Sequence, residues 1–509
     1  MAEVLVTRVS PKGPRQPLGT ARAAAPSLQR LLQRPQQVAG PDWLRQRRDR
    51  FWERFVAAPA PSSTRDEDWR RTDASRLPLY ELLEKQQLRL ASPQQQARSE
   101  GASADAAQAA RGMSDLVPFG DDSLEHSGTI VAAITRQGVS LHGSQQDLEA
   151  LEQSGVSIVA LGSLANMDDT AATRIRQLLS LLEGDGPLTA AWQALWNGGA
   201  LITAPAGTHL SPSLWIVHDL SGALSVPATL LWLGEDSSLS VCDQYRKVEE
   251  GAQDTPDSSE SSWTGDGGFG YYTPEPQTAI PTCTLAATLA MVGRGAQLSY
   301  GTLQEQPLTT WHVSHTLIQL EQEARLSALV SRLGAGTEKS WFDVNLVGRG
   351  SDAEISGIAF ASSSQHLDHQ SLQRHLGEDT RSRFTLKCAV SDHATSVYSG
   401  LIEVLPSAQK TDGYVSNRNL LLDPGAKADS IPRLEIGAND VRCGHGATAG
   451  HIDDNERFYM TSRGIPSHEV DRLIVRGFFE DILAAAPFPS IAAVSARLLD
   501  EKIARWQHP

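Results

Sequence analysis

The stretch from Ala200 to Gly450 limits what this chain can fold into more than any other part of it. It is written almost entirely in β-branched and apolar runs of four to eight residues, cut by Gly, Asp and Ser turns. Leu214–Val217, Thr229–Leu233, Leu239–Cys242, Phe342–Val347 and Leu401–Leu405 are examples. A weak repeat runs through it: a turn residue, a small residue, one spacer, then a strand-like position. It recurs at 236–239, 295–298, 323–326, 352–355, 393–396 and 425–428. From Ala296 onward its alanines fall 28, 29, 41 and 32 residues apart, at Ala324, Ala353, Ala394 and Ala426. Such spacing is what stacked coils of a β-solenoid produce, each coil burying the face of its neighbour. A sandwich is the alternative, since strand-rich sequence with turns fits it too. Residues 248–277, with Glu, Asp, Ser and Gly in excess, read as a surface insertion in this core.

The flanks have a different texture. Residues 1–40 are rich in Pro, Gln, Ala and Arg without apolar periodicity and read as loosely ordered. An N-terminal helical domain is expected over 41–125. Its first helix puts Leu44, Phe51, Trp52 and Phe55 on one face and stops at Pro59-Ala60-Pro61. The compact run Asp68-Trp69-Arg70-Arg71-Thr72-Asp73 follows, and 84–113 is a Gln- and Ala-rich polar helix or linker. A mixed α/β lead-in spans 126–199, with strands at 129–134 and 156–161 and a helix at 169–182. The core is 200–450, and 451–509 is a C-terminal helical domain. There one helix opens with Pro466 in its first turn. Val470, Ile474, Phe478 and Ile482 form an i,i+4 ladder on it, broadened by Leu473, Val475, Phe479 and Leu483. Ser490 is placed to cap the last helix. So wide an apolar face must dock on the β region or on a partner.

With a net charge of −15 and no basic stripe bearing aromatics, the composition argues against a nucleic-acid partner. No apolar run reaches the length of a membrane span. The four cysteines, Cys242, Cys283, Cys388 and Cys443, show no CxxC pairing, which is the usage of a reducing compartment. Val4 to Pro41 has no acidic residue, as in an organelle transit peptide, but Glu3 and the low Ser content stand against that. The expected location is the cytoplasm, with the plastid stroma as the alternative.

Among motifs that carry chemistry, Cys443-Gly444-His445-Gly446-Ala447-Thr448-Ala449-Gly450 stands out. On an extended chain Cys443 and His445 share a face, and thiolate with imidazole suits iron, zinc or an iron–sulfur centre. Two ligands do not complete a metal site, so the rest must come from elsewhere. A bend with a buried Cys and a hydrogen-bonded His is the structural reading. His366, Asp368, His369 and His375 form the richest histidine cluster, but their spacing matches no standard zinc pattern. If extended, His366 and Asp368 face one way and His369 the other. Residues 334–340 resemble a phosphate loop, but Glu338 stands where Gly is required, so they read as a turn between strands. Gly265, Gly267 and Gly270 satisfy GxGxxG only inside the acidic insertion, without strand or helix around it. There is no Gly-x-Ser-x-Gly elbow. Asp412, Glu435 and Asp440 are too scattered for the carboxylate pair of a carbohydrate-active enzyme.

Several runs together resemble the SufB/SufD family of the Suf iron–sulfur cluster assembly system. They are 410–414 (KTDGY), 419–422 (NLLL), 432–436 (PRLEI), Asp440-Val441, 443–450 and 458–466 (FYMTSRGIP). The resemblance covers roughly 200–485, and Trp69 to Asp73 is similar to the N-terminal motif of the SufD branch. Two positions side with that branch. Asn417, in Val415-Ser416-Asn417, stands where SufB carries its sulfur-accepting cysteine, and 445–448 reads His-Gly-Ala-Thr where SufB reads His-Glu-Ala-Thr. Gly444 departs from the Ser usual in SufD. The resemblance implies a mainly β fold, a right-handed parallel β-helix flanked by N- and C-terminal helical domains. It implies a non-enzymatic scaffold, heterodimeric with a SufB-like subunit through the β-helix. A SufC-like ATPase would bind the C-terminal helices at Val470, Ile474, Phe478 and Ile482. His445, with Cys443 beside it, would hold iron or an Fe–S cluster transiently, shared with the partner. A SufB-like scaffold and a purely structural brace are the alternatives. Whether a flavin binds, and whether the isolated chain pairs with itself, is left open.

Overall fold

The computed structural model describes residues 40–90, 128–134, 138–162, 164, 167–184, 186–218, 220, 222–246 and 281–507. The expected N-terminal tail, most of the polar segment 84–113 and the acidic insertion with its three glycines lie outside the described residues. The rest is mainly β, a solenoid of two sheets with helices at both chain ends. In spatial order the first sheet opens with β2 (Val139–His142), β1 (Thr129–Ile134), β5 (Ser213–His218), β8 (Ser238–Tyr245) and β10 (Gln297–Gln304). It continues with β12 (Arg325–Arg332), β14 (Asp352–Ala361), β16 (Arg381–Val390), β18 (Thr411–Leu421) and β20 (Val441–His451). The second sheet starts with β3 (Ser157–Ala160), β4 (Gly198–Ala204), β7 (Pro227–Leu233) and β9 (Thr282–Val292), the short β6 (Leu224–Ser225) pairing with β9. It ends with β11 (Thr310–Leu320), β13 (Thr337–Leu346), β15 (His366–His375), β17 (Thr395–Val404) and β19 (Lys427–Ile436). Each coil gives one strand to each sheet, and neighbouring coils pair in parallel, as in Leu326↔Ala353↔Ser382↔Gly413↔Cys443. That register excludes a sandwich of antiparallel sheets.

The irregular 41-residue step in the alanine repeat has a simple origin. Ala296, Ala324 and Ala353 lead into or start strands of the first sheet, whereas Ala394 and Ala426 precede β17 and β19 of the second. The series changes sheets. The corners are equally repetitive: Asp236, Gly295, Glu323, Gly350, Asp379 and Lys410 all have positive φ, between 53° and 71°. A left-handed residue at each corner turns the chain into the next strand.

Between the sheets lies a continuous apolar core, including Leu298, Leu326, Ile355, Phe384 and Val415 from the first sheet and Ile318, Val344 and Ile402 from the second. The second sheet's outer face is covered by α1 (Asp42–Ala57), α2 (Leu79–Leu90), α4 (Asp169–Leu181) and α5 (Pro187–Leu195), while α3 (Gln145–Ser154) packs near β1. As the spacing predicts, α1 buries Leu44, Phe51, Trp52 and Phe55. Burying each Phe contributes about 2–3 kcal/mol. Arg48 is buried with them, its guanidinium 4.2 Å over the Trp196 ring. The first sheet's outer face carries α7 (Ser467–Ala484) and α8 (Pro489–Gln507), preceded by α6 (Asp454–Ser462), which buries nothing. Two local expectations are corrected. Pro466 is the N-cap of α7 and not a residue of its first turn. Ser490 lies inside α8, its hydroxyl held by Trp215 Nε1 at 3.1 Å and Ser213 Oγ at 3.0 Å, so packing and not capping claims it.

Candidate functional site at the open end of the solenoid

The two ends of the solenoid differ. At the start, the four-residue strands β2 and β3 pair antiparallel with β1 and β4 and end the sheets in short edges. At the finish, β19 and β20 are pairs on one side only, and no described strand covers their outer edges. Two long edges, each with free N–H and C=O groups, are a template for another chain.

The inward face of that last coil carries the two side chains singled out by sequence, Cys443 half-buried and His445 exposed. Alternation along β20 puts Val441, Cys443 and His445 on the inward face, and Val441 and Cys443 pack against the core. One inward file reads Leu298, Leu326, Ala353, Ser382, Gly413, Cys443, and its neighbour Tyr300, Ala328, Ile355, Phe384, Val415, His445. An apolar interior thus ends, at the exposed coil, in a thiol and an imidazole. On the opposite face the Tyr414 ring lies over Gly446, where a Cβ would stand 2.8 Å from Tyr414 Oη.

The thiol is not alone. A Cβ on Gly413 would lie 3.2 Å from Ile402 Cγ2, 3.4 Å from Cys443 Sγ and 3.5 Å from His375 Nε2, so the glycine backbone sits among all three. His375 is fully buried, with Nδ1 2.8 Å from Thr380 Oγ1 and Nε2 2.8 Å from Ser382 Oγ, and burial pushes its pKa down to about 4. A depression of about 410 Å³ opens beside Cys443 between Arg442, Tyr414 and the paired Arg383 and Asp412. Burial pushes the Cys443 thiol above its ordinary value, against the pull of the Gly413 N–H. A metal ion would have to displace that proton. Among the described residues no three His, Cys, Asp or Glu side chains are placed to hold a metal by themselves.

The other sequence candidates separate. His366 and Asp368 face outward, as their spacing implies, and both meet Thr72: His366 Nε2 at 3.0 Å, Asp368 accepting from the hydroxyl. Lys339 Nζ, 2.6 Å from Asp368, also donates to the Asp68 carbonyl. The Asp68–Asp73 run is therefore a strap across the outer face, with Trp69 against Trp341 and Arg71 paired to Asp429 at 2.7 Å. His369 points inward to Ser340 at 2.9 Å, and His375 lies at the far end of the same strand. Residues 334–336 form a coil corner, with Ala335 at φ 54°, and Glu338 is buried in β13 beside Arg332 at 3.0 Å.

On α7 the buried stripe is Val470, Val475, Phe479, Ile482 and Leu483; Ile474 and Phe478 are half-buried and Leu473 is exposed. Beside them α6 presents Phe458 at 73% and Tyr459 at 58% exposure. Asn417 is buried; its amide donates to the Leu386 carbonyl and its Oδ1 accepts from Asn419 and Ser430, linking β18 to β19. Sequence reasoning had no access to the meeting of His375, Gly413 and Cys443, which come from three different coils. The only signal was a glycine in the run 410–414.

The described residues form a two-sheet solenoid whose last coil carries a thiol and an imidazole on its inward face. Residues 272–478 match the family described as SUF system FeS cluster assembly, SufBD core domain. The chain carries that SufBD core domain, and the match does not separate SufB from SufD. It is 37% identical over 190 residues to an iron–sulfur cluster assembly SufBD family protein of Mycobacterium tuberculosis (36% of this chain, 48% of the relative). It is 35% identical over 181 residues to the iron–sulfur cluster assembly protein SufD of Escherichia coli (36% and 43%). A second SufBD family protein, from Mycobacterium leprae, is 28% identical over 192 residues (38% and 22%). The chain spans about half the length of the first of these relatives. No helix among the described residues is long and apolar enough to cross a membrane.

Proposed function

We propose that this chain is a SufD-like, non-enzymatic scaffold of iron–sulfur cluster assembly. Its open coil pairs with a SufB-like subunit, and there His445, seconded by Cys443, ligates iron or a nascent cluster as transient cargo. The observation that carries this is the coincidence of two long unpaired strand edges with a last described rung whose inward files end in a thiol and an imidazole. Imidazole and thiolate bind iron directly, and the ligands lacking here are what a partner's edge would bring. Asn417 favours the SufD branch: a buried, hydrogen-bonded amide occupies the place of SufB's sulfur-accepting thiol.

Nucleotide hydrolysis would fall to a SufC-like ATPase docked on the C-terminal helices. Of the four ladder residues, Ile474 and Phe478 reach the surface, with Leu473, Phe458 and Tyr459 around them; Val470 and Ile482 support the helix from beneath. The test is His445→Ala in the complex reconstituted with SufB-like and SufC-like partners. Iron and acid-labile sulfide per complex should fall while size-exclusion elution stays the same. An unchanged cluster yield in an intact complex refutes the ligand assignment.

A further inference from the structure

The last coil is built unlike the coils before it. No residue of β19 or β20 is buried, whereas the strands they pair with bury Tyr398 and Ile402 in β17 and Val415 in β18. At the other end of the molecule β1 buries every residue from Ile130 to Ile134. The run from Gly437 to Gly450 also holds four glycines, each of which gives up more backbone freedom on folding than another residue would. What holds the coil is backbone pairing to β17 and β18 with a few side-chain bonds, such as Asn419 Nδ2 to the Thr448 carbonyl at 3.3 Å. The strap adds the Arg71–Asp429 pair, but both partners are half-exposed, so it contributes little.

The coils before it carry a splint. Along α8, Ser490 meets Trp215 of β5, and Ser495 Oγ lies 2.8 Å from Ser331 Oγ of β12. Further on, Lys502 Nζ donates to the Phe360 carbonyl of β14 at 3.1 Å. Trp506 Nε1 donates to Asp423, just after β18, at 3.2 Å. The helix therefore lies along the stacking direction. From Ser490 to Trp506 it rises about 24 Å, and the strand spacings from β5 to β18 sum to about 29 Å, the Trp506 side chain spanning the rest. Beneath α7, Lys387 of β16 donates to the Phe478 carbonyl at 2.7 Å. In a solenoid, stability is a sum over coils and their neighbours, so an end coil with one neighbour and little burial opens first. A helix bonded to many coils makes them open together, and the furthest of these bonds stops at the corner after β18.

We propose that residues 427–451 are a separately opening unit, a terminal coil that unfolds from the solenoid and carries Cys443 and His445 with it, while α8 holds the preceding coils closed. A partner strand on the open edges would then order the coil as it binds, so that the two side chains are fixed only in the assembly. This last step rests on the proposed function; the opening itself does not. The test is hydrogen exchange of the full chain, without metal or partner, read by mass spectrometry over urea concentrations below the unfolding transition. Residues 427–451 should exchange about a hundredfold faster than 381–404, the weight of one fully buried Leu or Phe. Their exchange should also rise with urea, as the opening of a whole unit does. Gly450→Ala, where the added Cβ meets nothing within 4 Å, should slow 427–451 about two- to fivefold and leave 381–404 unchanged. Lys502→Met with Trp506→Phe should speed 411–421 about tenfold, the scale of one lost hydrogen bond, and Trp506→Phe alone repeats that test should the pair fail to fold. Exchange of 427–451 together with 381–404 at every urea concentration overturns the proposal. So does urea-independent exchange of 427–451, which is the breathing of single edge amides, and so does an unchanged 411–421 in a folded α8 variant. None of these outcomes bears on the ligand assignment, which the His445→Ala complex tests by its iron and sulfide content.

Discussion

Replacing His369 by Gln should make the protein less stable at neutral pH and more stable in mild acid. His369 is buried in the solenoid, hydrogen-bonded through Nδ1 to Ser340 Oγ at 2.9 Å, with Nε2 unpartnered. Burial, reinforced by Arg332, Lys339 and His366, pushes its pKa from 6.5 down to about 3. Glu338 Oε1, 4.0 Å away, offers no rescue in acid, because burial pushes that carboxyl up to about 7 and it is then neutral. Below pH 6.5 the unfolded chain takes up a proton that the folded chain refuses. Stability is therefore fully present above pH 6.5 and is lost as pH falls toward 3. At about 1.4 kcal/mol per pH unit, the native protein loses about 2 kcal/mol from this residue between pH 7.5 and 5. His369→Gln removes that loss and costs about 1 kcal/mol for a weakened Ser340 bond. The stability curves of the two proteins should cross between pH 7.5 and 5. Urea unfolding followed by circular dichroism at both pH values reads the effect, and the other buried histidines cancel in the comparison. Parallel pH slopes for variant and wild type would refute the reasoning.

Other outcomes follow from the same contacts. Phe384→Ala empties an inward file between Phe342 and Tyr398, whose rings lie 6.2 and 5.8 Å away; it should cost about 3–5 kcal/mol in urea unfolding. Thr72→Val strips the strap of its bonds to Asp368 and His366 and leaves a buried carboxylate short of a donor. A loss of about 1–3 kcal/mol is expected, with faster amide exchange over 67–76 than in the solenoid. Phe458→Asp alters an exposed side chain on a helix that buries nothing, so it should leave the melting temperature unchanged. Capture of a SufC-like ATPase in a pull-down should be lost, and retained capture would exclude α6 from the docking face.

Much of the architecture was legible along the chain because both of its periods are local. The first strand, Thr129–Ile134, has the bounds read from sequence, and α4 differs by one residue. The buried face of α1 is the face its spacing named. Where local pattern misled, a tertiary partner had intervened. Ser490 looked like a cap, but Trp215 takes its hydroxyl. The ladder at 470, 474, 478 and 482 looked like the centre of the apolar face of α7. Packing on the first sheet instead centres burial nearer Val475, Phe479 and Ile482, leaving Ile474 and Phe478 at the margin. The histidines at 366, 369 and 375 looked like one cluster, yet alternation and strand length send them to the strap, the mid-core and the far corner.

By itself the sequence pointed to a chain that coils. Short strands, turn residues and recurrent small residues suit stacked coils, each burying its apolar face against the next, and the parallel register is what excluded a sandwich. It also determined which side chains share a face, Cys443 and His445 among them. Only the tertiary structure decided that their strand, last in the β region, is unpaired at its outer edge, and that Gly413 lies beside both Cys443 and His375. The physical reason is that coil-to-coil stacking sets which residues from distant coils become neighbours, and a chain's own pattern does not record which of its strands is left without a partner.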